Sequence, residues 1–170
     1  NLCNTLHEEG YKVLAIDNLE RGDKEYLNPD IEFRAIDCRY LYPKSSLFRG
    51  CDAVIHLASK VGGIGYYMKN AYEVMRDNLL IDSNTLECAI NNRVNKYFYA
   101  SSAHIYPKHL QVSRNPPSIV EDEAFPADPY LSYGWAKLMG EKQLSNASKE
   151  GKIKAAIARY VGVYGENQSF

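Results

Sequence analysis

The sequence predicts an α/β protein built on a doubly wound parallel sheet. Two observations support this fold class. Short apolar runs, typical of buried parallel strands, alternate with segments of helical periodicity. Acidic residues, glycines or serines follow those runs, where the carboxyl ends of parallel strands would meet and bind ligands. The alternation of strand and helix also favours right-handed crossovers within one sheet.

The bulk composition is that of an ordinary globular domain. The chain has 170 residues, of which 45% are hydrophobic and 24% charged, and its net charge is −1. This charge favours neither nucleic acid nor a membrane surface as a partner, and no apolar run reaches the length of a membrane span. The four cysteines and four histidines lack metal-ligand spacing, so we predict no metal site and expect a reducing, cytoplasmic setting.

The first half of the chain is predicted to alternate short strands with loops. Residues 2–9 are amphipathic and end at Gly10 as a helix stop. Compact apolar runs at residues 11–16 and 53–58 predict buried strands, and residues 31–36 predict a third, shorter strand. One or two helical turns are expected at residues 42–48.

The second half contains the longer elements. Residues 71–91 show helical periodicity, residues 95–100 and 154–160 read as strands, and residues 131–144 read as a helix. Residues 107–129 hold five of the seven prolines and no periodicity, which is typical of a functional lid or a mobile loop.

The helix at residues 131–144 carries a Tyr-x-x-x-Lys pair, Tyr133 and Lys137. Residues four apart lie on one helix face, so the ammonium is expected to sit beside the phenol and to lower its pKa. Such a phenol can exchange a proton with a sugar or alcohol hydroxyl. Ser102, at a predicted strand end, can bind the same hydroxyl. Together, Ser102, Tyr133 and Lys137 predict a site at which a bound cofactor accepts or donates a hydride.

Polar residues and glycines at other strand ends are candidates for ligand binding. Asp17 suits the two hydroxyls of a ribose and disfavours a 2′-phosphate, although it equally suits a cap for the following turn. Gly62, Gly63 and Gly65 are read as a flexible loop in which a ligand approaches backbone N–H groups, rather than as a dinucleotide phosphate loop, because they follow a later strand and Asp17 precedes them. A plain glycine-rich turn is the alternative.

With these features in place, the sequence resembles the extended short-chain dehydrogenase/reductase family, in particular its NAD-dependent nucleotide-sugar epimerases and dehydratases, which have a Rossmann-like fold. The motifs that carry the resemblance are Ala15-Ile16-Asp17-Asn18-Leu19, Ile55-His56-Leu57-Ala58, Asp77-Asn78, Ala100-Ser101-Ser102-Ala103, Tyr133-x-x-x-Lys137 and Arg159-x-x-x-x-Tyr164-Gly165. Residues 58–65 and 99–107 look most like the GDP-mannose 3,5-epimerase branch, and residues 60–64 and 105–108 also look like the GDP-L-fucose synthase branch.

The resemblance implies a role for each matched residue. Tyr133 would take the proton of a sugar C4 hydroxyl, Lys137 would hold the NAD ribose, and Ser102 would steady the C4 oxygen. Neighbouring C–H bonds of the 4-keto sugar would then exchange protons with an acid/base residue. The expected cofactor-binding residues also include Asp17, Asp37, Leu57 and Ala58, and the expected substrate-binding residues are Gly62, Gly63, Gly65 and Ser102.

Two positions depart from the resembled pattern. His104 stands where both epimerising branches have an acid/base Cys, and an imidazole with an ordinary pKa near 6.5 suits that task. A turn residue with a satisfied hydrogen bond is the alternative for His104. Gly162 stands where much of the family has Asn.

The resemblance further implies that residues 1–170 are a partial NAD-binding domain. A first strand with a glycine-rich pyrophosphate loop is expected before Asn1, and a substrate-binding region beyond Phe170. We therefore expect a gap or unpaired edge in the sheet, with weak NAD binding and no turnover by these residues alone. A homodimer through residues 71–91 and 131–145 is expected in the full-length protein. Open alternatives are a GDP-L-fucose synthase-type reductase, a UDP-sugar 4-epimerase or dehydratase, and a non-catalytic NAD-binding module.

Overall fold

The computed structural model describes residues 1–111 and 118–165, which form a parallel α/β fold. The helices are α1 (Leu2–Glu8), α2 (Ile64–Lys69), α3 (Ala71–Asn91), α4 (Lys108–Gln111) and α5 (Ser132–Lys149). The strands are β1 (Leu14–Asp17), β2 (Glu32–Ala35), β3 (Ala53–His56), β4 (Lys96–Ser102) and β5 (Lys154–Tyr160). Short 3-10 turns occur at Lys24–Tyr26, Cys38–Tyr40, Ala103–Ile105 and Glu121–Ala124.

The described strands form two parallel sheets rather than the single sheet predicted. β1 pairs with β2, while β3, β4 and β5 follow one another in a second sheet. Within the described residues the four outer strands, β1, β2, β3 and β5, each have one edge without a paired strand. All carboxyl ends within a sheet point the same way, so Asp17 and Ala35 share one edge, and His56, Ser102 and Tyr160 share another.

The largest hydrophobic core lies where α3 and α5 pack against β4. Leu86 and Ala89 from α3 meet Leu144 from α5, together with Tyr97 and Tyr99 from β4. The two helices are also joined at their surface by a hydrogen bond between the Ser83 and Gln143 side chains. β4 is thus the most enclosed strand, and the residues at its carboxyl end are held by packing on both sides.

Most predicted elements are confirmed, with boundaries shifted by a few residues. The helix at residues 71–91 and the strand at residues 154–160 have the predicted bounds. β4 runs on to Ser102, so this serine ends the strand instead of following it. Residues 42–48 form no helix. Instead of the expected helical turns, two separate hydrogen-bonded turns occur, from the Ser45 N–H to the Tyr42 carbonyl at 2.9 Å and from the Arg49 N–H to the Ser46 carbonyl at 3.0 Å. A single turn forms earlier, where the Asp37 side chain accepts a hydrogen bond from the Arg39 N–H.

The proline-rich segment is described only at its ends, since residues 112–117 lie outside the described ranges. Pro107 and Pro129 form an antiparallel bridge, and the Lys108 N–H donates to the Asp128 carbonyl at 2.7 Å. The two ends of the segment are therefore held together beside the start of α5. In the described ranges, no helix has both the length and the apolar character needed to cross a bilayer.

Candidate active site

Ser102 and His104 form the first half of the candidate active site. Ser102 ends β4 and caps the next 3-10 turn, where its Oγ accepts the His104 N–H at 3.2 Å. The same Oγ lies 3.0 Å from Nδ1 of the His104 ring. Burial lowers the pKa of His104, which favours a neutral imidazole that can accept a proton.

Tyr133 and Lys137 form the second half, on the first turns of α5. The Tyr133 ring lies 5.7 Å from the His104 ring at an interplanar angle of 81°. Gly134 explains this close approach, because a Cβ there would lie 2.1 Å from the His104 carbonyl oxygen. The turn that carries His104 therefore packs directly on the backbone of α5. The structure thus brings together the four predicted catalytic residues, Ser102, His104, Tyr133 and Lys137.

Lys137 is almost wholly buried, with 1% of its surface exposed. Its Nζ donates to the Ala100 carbonyl at 2.9 Å, and lies 4.7 Å from the Tyr99 ring centroid and 6.0 Å from that of Tyr133. A carbonyl and two ring faces stabilise the ammonium where water does not reach it. Burial nevertheless lowers the pKa of Lys137, and Asp82 opposes this effect.

The expected lowering of the Tyr133 pKa is wrong for this structure. Burial raises the pKa of Tyr133 to about 12, and the neighbouring Tyr67 adds to the rise. Hydrogen bonds from the Ser59 and Ser102 hydroxyls lower the pKa of Tyr133, but by less than burial and Tyr67 raise it. The sequence-based expectation considered only the i, i+4 spacing, whereas removal of water from the phenolate is the larger effect here.

A buried polar cluster lies beneath Lys137. Asp82 from α3 accepts a hydrogen bond from the Tyr99 hydroxyl at 2.7 Å and lies 2.8 Å from His56 Nε2. Gly140 of α5 permits this arrangement, since a Cβ there would lie 2.3 Å from the Tyr99 hydroxyl and 2.8 Å from Asp82 Oδ2. The cluster fixes the Tyr99 ring on which the Lys137 ammonium rests.

A second buried cluster connects α5 to the ends of β4 and β5. Glu141 accepts from Ser101 Oγ at 2.5 Å and forms a bidentate pair with Arg159, with nitrogen–oxygen distances of 2.8 and 3.0 Å. Arg159 also donates to the Tyr106 hydroxyl at 3.2 Å. The pair lies four residues beyond Lys137 and holds α5 against the strand ends that carry the catalytic residues.

The loop after β3 places its glycines differently from the sequence prediction. Gly63 caps α2 and Gly65 lies within that helix, so only Gly62 and Gly63 belong to the loop. The Gly62 N–H donates to the Tyr67 hydroxyl at 3.1 Å, so this N–H already has a partner within the protein. A Cβ on Gly62 would lie 2.5 Å from the Tyr66 ring, whereas Gly63 and Gly65 have open space.

Tyr67 is a site residue that the sequence prediction missed. Its ring stacks on that of Tyr133, with centroids 4.9 Å apart and planes inclined by 10°. It also meets the His104 ring edge-on, at 6.3 Å and 72°. No periodic signal marks this residue, because α2 has only six residues and its register with α5 is set by the fold.

The predicted cofactor residues lie in a cleft at the ends of β1, β2 and β3. Asp17, Asp37 and Ala58 line this cleft, whereas Leu57 is half-exposed beside it. Asp17 Oδ1 accepts the Leu19 N–H at 2.6 Å, so the carboxylate also closes its turn, as the alternative interpretation holds. Gly22 leaves room for it, because a Cβ there would come within 3.3 Å of both carboxylate oxygens.

Arg39 is a further cleft residue that the sequence prediction missed. It bridges Asp37 and Asp77, with a distance of 2.7 Å from Nη1 to Asp77 Oδ2. Hydrogen bonds from Arg39 lower the pKa of Asp37 to about 2. Burial of Asp77 raises its pKa, but hydrogen bonds from Arg76 and Arg39 outweigh this and leave it lowered. The oxygens of Asp37 are therefore already engaged by Arg39 within the protein.

The loop that follows β3 is held by Asn78 from α3. The Asn78 side chain accepts from Ser59 Oγ at 2.6 Å and from the Lys60 N–H at 2.9 Å, and donates to the Lys60 carbonyl at 3.0 Å. Ser59 belongs both to the cleft lining and to the surroundings of the Tyr133 hydroxyl. It connects the cleft to the catalytic group.

The cleft residues fit part of a dinucleotide cofactor. Asp17 at a strand end suits a ribose diol, and Ser59 lies both in the cleft lining and beside the Tyr133 hydroxyl. Among the described residues, no group of three or more His, Cys, Asp or Glu side chains is placed to hold a metal ion. Gly162 follows β5 with open space around it and contributes no side chain to the site.

Comparison with known proteins gives concordant matches. The model of the NAD dependent epimerase/dehydratase family matches residues 1–170. The chain is similar to GDP-mannose 3,5-epimerase of Arabidopsis thaliana, with 33% identity over 97% of this chain and 44% of the relative. A putative UDP-glucose 4-epimerase of Methanocaldococcus jannaschii is 31% identical over 99% of this chain and 53% of the relative.

Solved structures agree with the fold. UDP-glucose 4-epimerase of Thermus thermophilus, in a complex with NAD, superposes with a TM-score of 0.84 at 25% identity, covering 98% of this chain and 52% of that one. UDP-glucose 4-epimerase of Thermotoga maritima, in a structure with UDP-glucose, superposes with a TM-score of 0.83 at 25% identity. This match covers 98% of this chain and 52% of the Thermotoga maritima chain. The chain spans about half the length of the relatives it matches.

Proposed function

The chain belongs to the NAD dependent epimerase/dehydratase family, and from this membership we propose that its protein is a nucleotide-sugar epimerase of the GDP-mannose 3,5-epimerase type. The reaction would oxidise C4 of the sugar transiently and exchange protons at the neighbouring carbons. NAD, when bound, supplies the hydride acceptor and donor for C4. The cleft at Asp17 and Ala58 supports NAD as the cofactor.

The residues of the chain divide the proton chemistry. Tyr133 is the group that takes the C4 hydroxyl proton, and Ser102 holds the same oxygen by a hydrogen bond. Lys137 lies within reach of the Tyr133 ring, where its charge favours the phenolate as a proton leaves. Burial holds the pKa of Tyr133 at about 12 in this structure, so its resting form is the neutral phenol. The phenol must first release its own proton to solvent, and the phenolate then takes the C4 hydroxyl proton.

The observation that carries the proposal is the position of His104. Its Nδ1 lies 3.0 Å from Ser102 Oγ and its ring 5.7 Å from Tyr133, so a second titratable group faces the reacting carbon region. Hydride transfer at C4 needs only one acid/base group, which is Tyr133. A 4-keto sugar acidifies the C–H bonds beside the carbonyl, and a neutral imidazole is the base that can remove such a proton.

Isotope exchange tests this function. The complete gene product is incubated in deuterated water with a panel of GDP-, UDP- and dTDP-sugars, and deuterium is located by NMR. We expect deuterium at C3 or C5 of a GDP-hexose. His104→Ala should lower this exchange by about 10²-fold or more, and His104→Cys should restore part of it, since the resembled branches have Cys there. His109→Ala, an exposed histidine on α4, is the matched control and should leave exchange unchanged.

A UDP-sugar 4-epimerase is the second candidate, favoured by the similarity to the Methanocaldococcus jannaschii relative. Inversion at C4 without deuterium at C3 or C5 would support this candidate and remove His104 from the mechanism. Unchanged exchange in His104→Ala would likewise contradict the acid/base role. Asp17 argues against a cofactor with a 2′-phosphate, so preference for NADPH would contradict our cofactor assignment.

The assembly is part of the same proposal. α3 and α5 pack side by side and expose apolar side chains, including Tyr72, Leu80 and Met139. Exposed apolar surface on two adjacent helices favours pairing with a second copy. Analytical ultracentrifugation of the complete gene product should give a dimer, and replacement of Leu80 and Met139 by Glu should give a monomer.

A further inference from the structure

Tyr67 lies outside the roles assigned above, although it contacts the catalytic tyrosine more closely than any other ring in the described ranges. The two rings are nearly parallel, with centroids 4.9 Å apart. Offset stacking of this kind is a favourable arrangement of two aromatic rings. One face of the Tyr133 ring is therefore packed against the ring of Tyr67.

The remaining approach to Tyr133 is limited by His104. This ring stands edge-on to both tyrosines, at 72° to Tyr67 and 81° to Tyr133. The rings of Tyr67 and His104 thus lie on two sides of the Tyr133 ring and restrict movement of its phenol toward either of them. The hydroxyl keeps one direction, toward the side where Ser59 and Ser102 lie.

Tyr67 is itself held rigidly. Only 6% of its surface is exposed, and it packs with Val74 and Leu131 in the same small cluster as Tyr133. Its hydroxyl accepts the Gly62 N–H at 3.1 Å, which ties the ring to the loop after β3. Because both the ring and the hydroxyl of Tyr67 are held in place, Tyr67 can restrict the motion of the neighbouring Tyr133 ring.

We propose that Tyr67 is a positioning residue for hydride transfer: its stacked ring fixes the Tyr133 phenol on the oxygen that Ser102 also binds. This inference rests on the proposed function, since it assigns Tyr67 to the same C4 oxidation. Tyr67 touches neither the sugar nor the reacting atoms in this role. It acts through Tyr133, because two groups must converge on one oxygen and a small misplacement of either lowers the rate strongly.

Two substitutions separate the ring from its hydroxyl. Tyr67→Ala removes the stack, whereas Tyr67→Phe keeps the ring and removes only the bond from Gly62. Tyr11→Ala, which truncates an exposed tyrosine before β1, is the matched control. We expect Tyr67→Ala to lower kcat by about 10- to 100-fold with KM and the NAD dissociation constant within about twofold of wild type. Tyr67→Phe should retain most of kcat, and Tyr11→Ala all of it.

A merely structural role gives a different pattern. It would leave kcat per folded molecule unchanged, or would change kcat, KM and NAD affinity together, and either result overturns the proposal. Circular dichroism establishes that each variant is folded. If Tyr67→Ala does not fold, Tyr67→Leu removes the flat ring while keeping an apolar side chain, and the same expectations apply.

A spectroscopic measurement keeps the inference separate from the proposed function. The pKa of the Tyr133 phenol is measured by NMR with ¹³C-labelled tyrosine, its signal assigned through Tyr133→Phe. The groups that face this phenol are Tyr67 from α2, Asp82 from α3, Ser102 from β4, His104 from the following turn, Lys137 from α5 and Ser59 from the loop after β3. Burial and Tyr67 raise this pKa, so Tyr67→Ala should lower it and Tyr67→Phe should lower it less.

The two failures are distinguishable. If wild type inverts C4 of a nucleotide sugar without deuterium at C3 or C5, the 3,5-epimerase assignment fails, and kcat for C4 inversion together with the titration decides on Tyr67. If wild type acts on no nucleotide sugar, the proposed function fails, and the titration alone decides on Tyr67. A Tyr133 pKa that is the same in wild type and Tyr67→Ala overturns the inference, as does an unchanged kcat in an active enzyme.

Discussion

Gly134 offers the sharpest test of how the catalytic helix is placed. Replacement of Gly134 by Ala adds a Cβ that would lie 2.1 Å from the His104 carbonyl oxygen and 2.9 Å from its carbon, whereas real Cβ atoms essentially never come within 3.0 Å of another heavy atom. Both contacts are with backbone, which cannot rotate away. The turn at His104 and α5 must therefore separate.

The magnitude follows from comparison with Gly65→Ala. Gly65 also lies in the first turn of its helix but has nothing within 4 Å of the added Cβ. Both variants gain the same helix propensity, about 0.5–1 kcal/mol. Overpacking costs about 1–3 kcal/mol, and the backbone clash puts Gly134→Ala at the upper end. We expect Gly134→Ala to be less stable than wild type by about 2 kcal/mol, and less stable than Gly65→Ala by about 3 kcal/mol.

Equilibrium unfolding of the complete gene product in urea measures both values. Circular dichroism reports the whole fold, and the part of the tryptophan fluorescence that Trp135→Phe removes reports the start of α5. Equal stability of Gly134→Ala and Gly65→Ala would refute the reasoning, because it would show that α5 does not rest on the His104 backbone.

Two further predictions concern the ion pairs. Glu141→Gln should lower the unfolding free energy by about 3 kcal/mol, because it leaves Arg159 without its buried carboxylate. Glu32→Gln, in the exposed pair with Arg34, should change the unfolding free energy by less than about 1 kcal/mol. Similar losses of stability in the two variants would contradict the expected difference between a buried and an exposed ion pair. Arg39→Met should remove the stabilisation that lowers the pKa of Asp37 from 3.8 to about 2. A depressed carboxyl pKa stabilises the fold above pH 3.8, and this contribution is lost as the pH falls toward 2. The difference from wild type should therefore be about 1–2 kcal/mol near pH 7 and shrink below pH 4, and a pH-independent difference in urea unfolding would contradict it.

Much of this arrangement follows from local sequence. Apolar runs located the strands, and the strand-end rule placed Ser102 beside the helix that carries Tyr133 and Lys137. These inferences succeed because they depend on neighbours in the chain or on the shared direction of parallel strands. His104 was assigned to the site only through the family resemblance, and its spacing of two residues from Ser102 did not by itself distinguish a site residue from a turn residue.

The remaining features depend on contacts between distant segments. Tyr67 meets Tyr133 across 66 positions of sequence, through a short helix whose orientation no periodicity reveals. Arg39 reaches Asp77 across 38 positions, and its acidic partners give no local pattern. The direction of the Tyr133 pKa depends on how much water the finished fold removes, which a pair spacing cannot express.

Gly140 has a consequence for protein engineering. Because it lacks a side chain, α5 lies against the Tyr99 hydroxyl and Asp82, and one turn earlier Lys137 reaches the Ala100 carbonyl. The transferable unit is therefore larger than the five-residue Tyr-x-x-x-Lys motif. A designer who grafts this dyad onto another scaffold must copy the backbone contact at position 140 too. Without it α5 must move away from Tyr99 and Asp82, which lengthens the distance from the Lys137 Nζ to the Ala100 carbonyl.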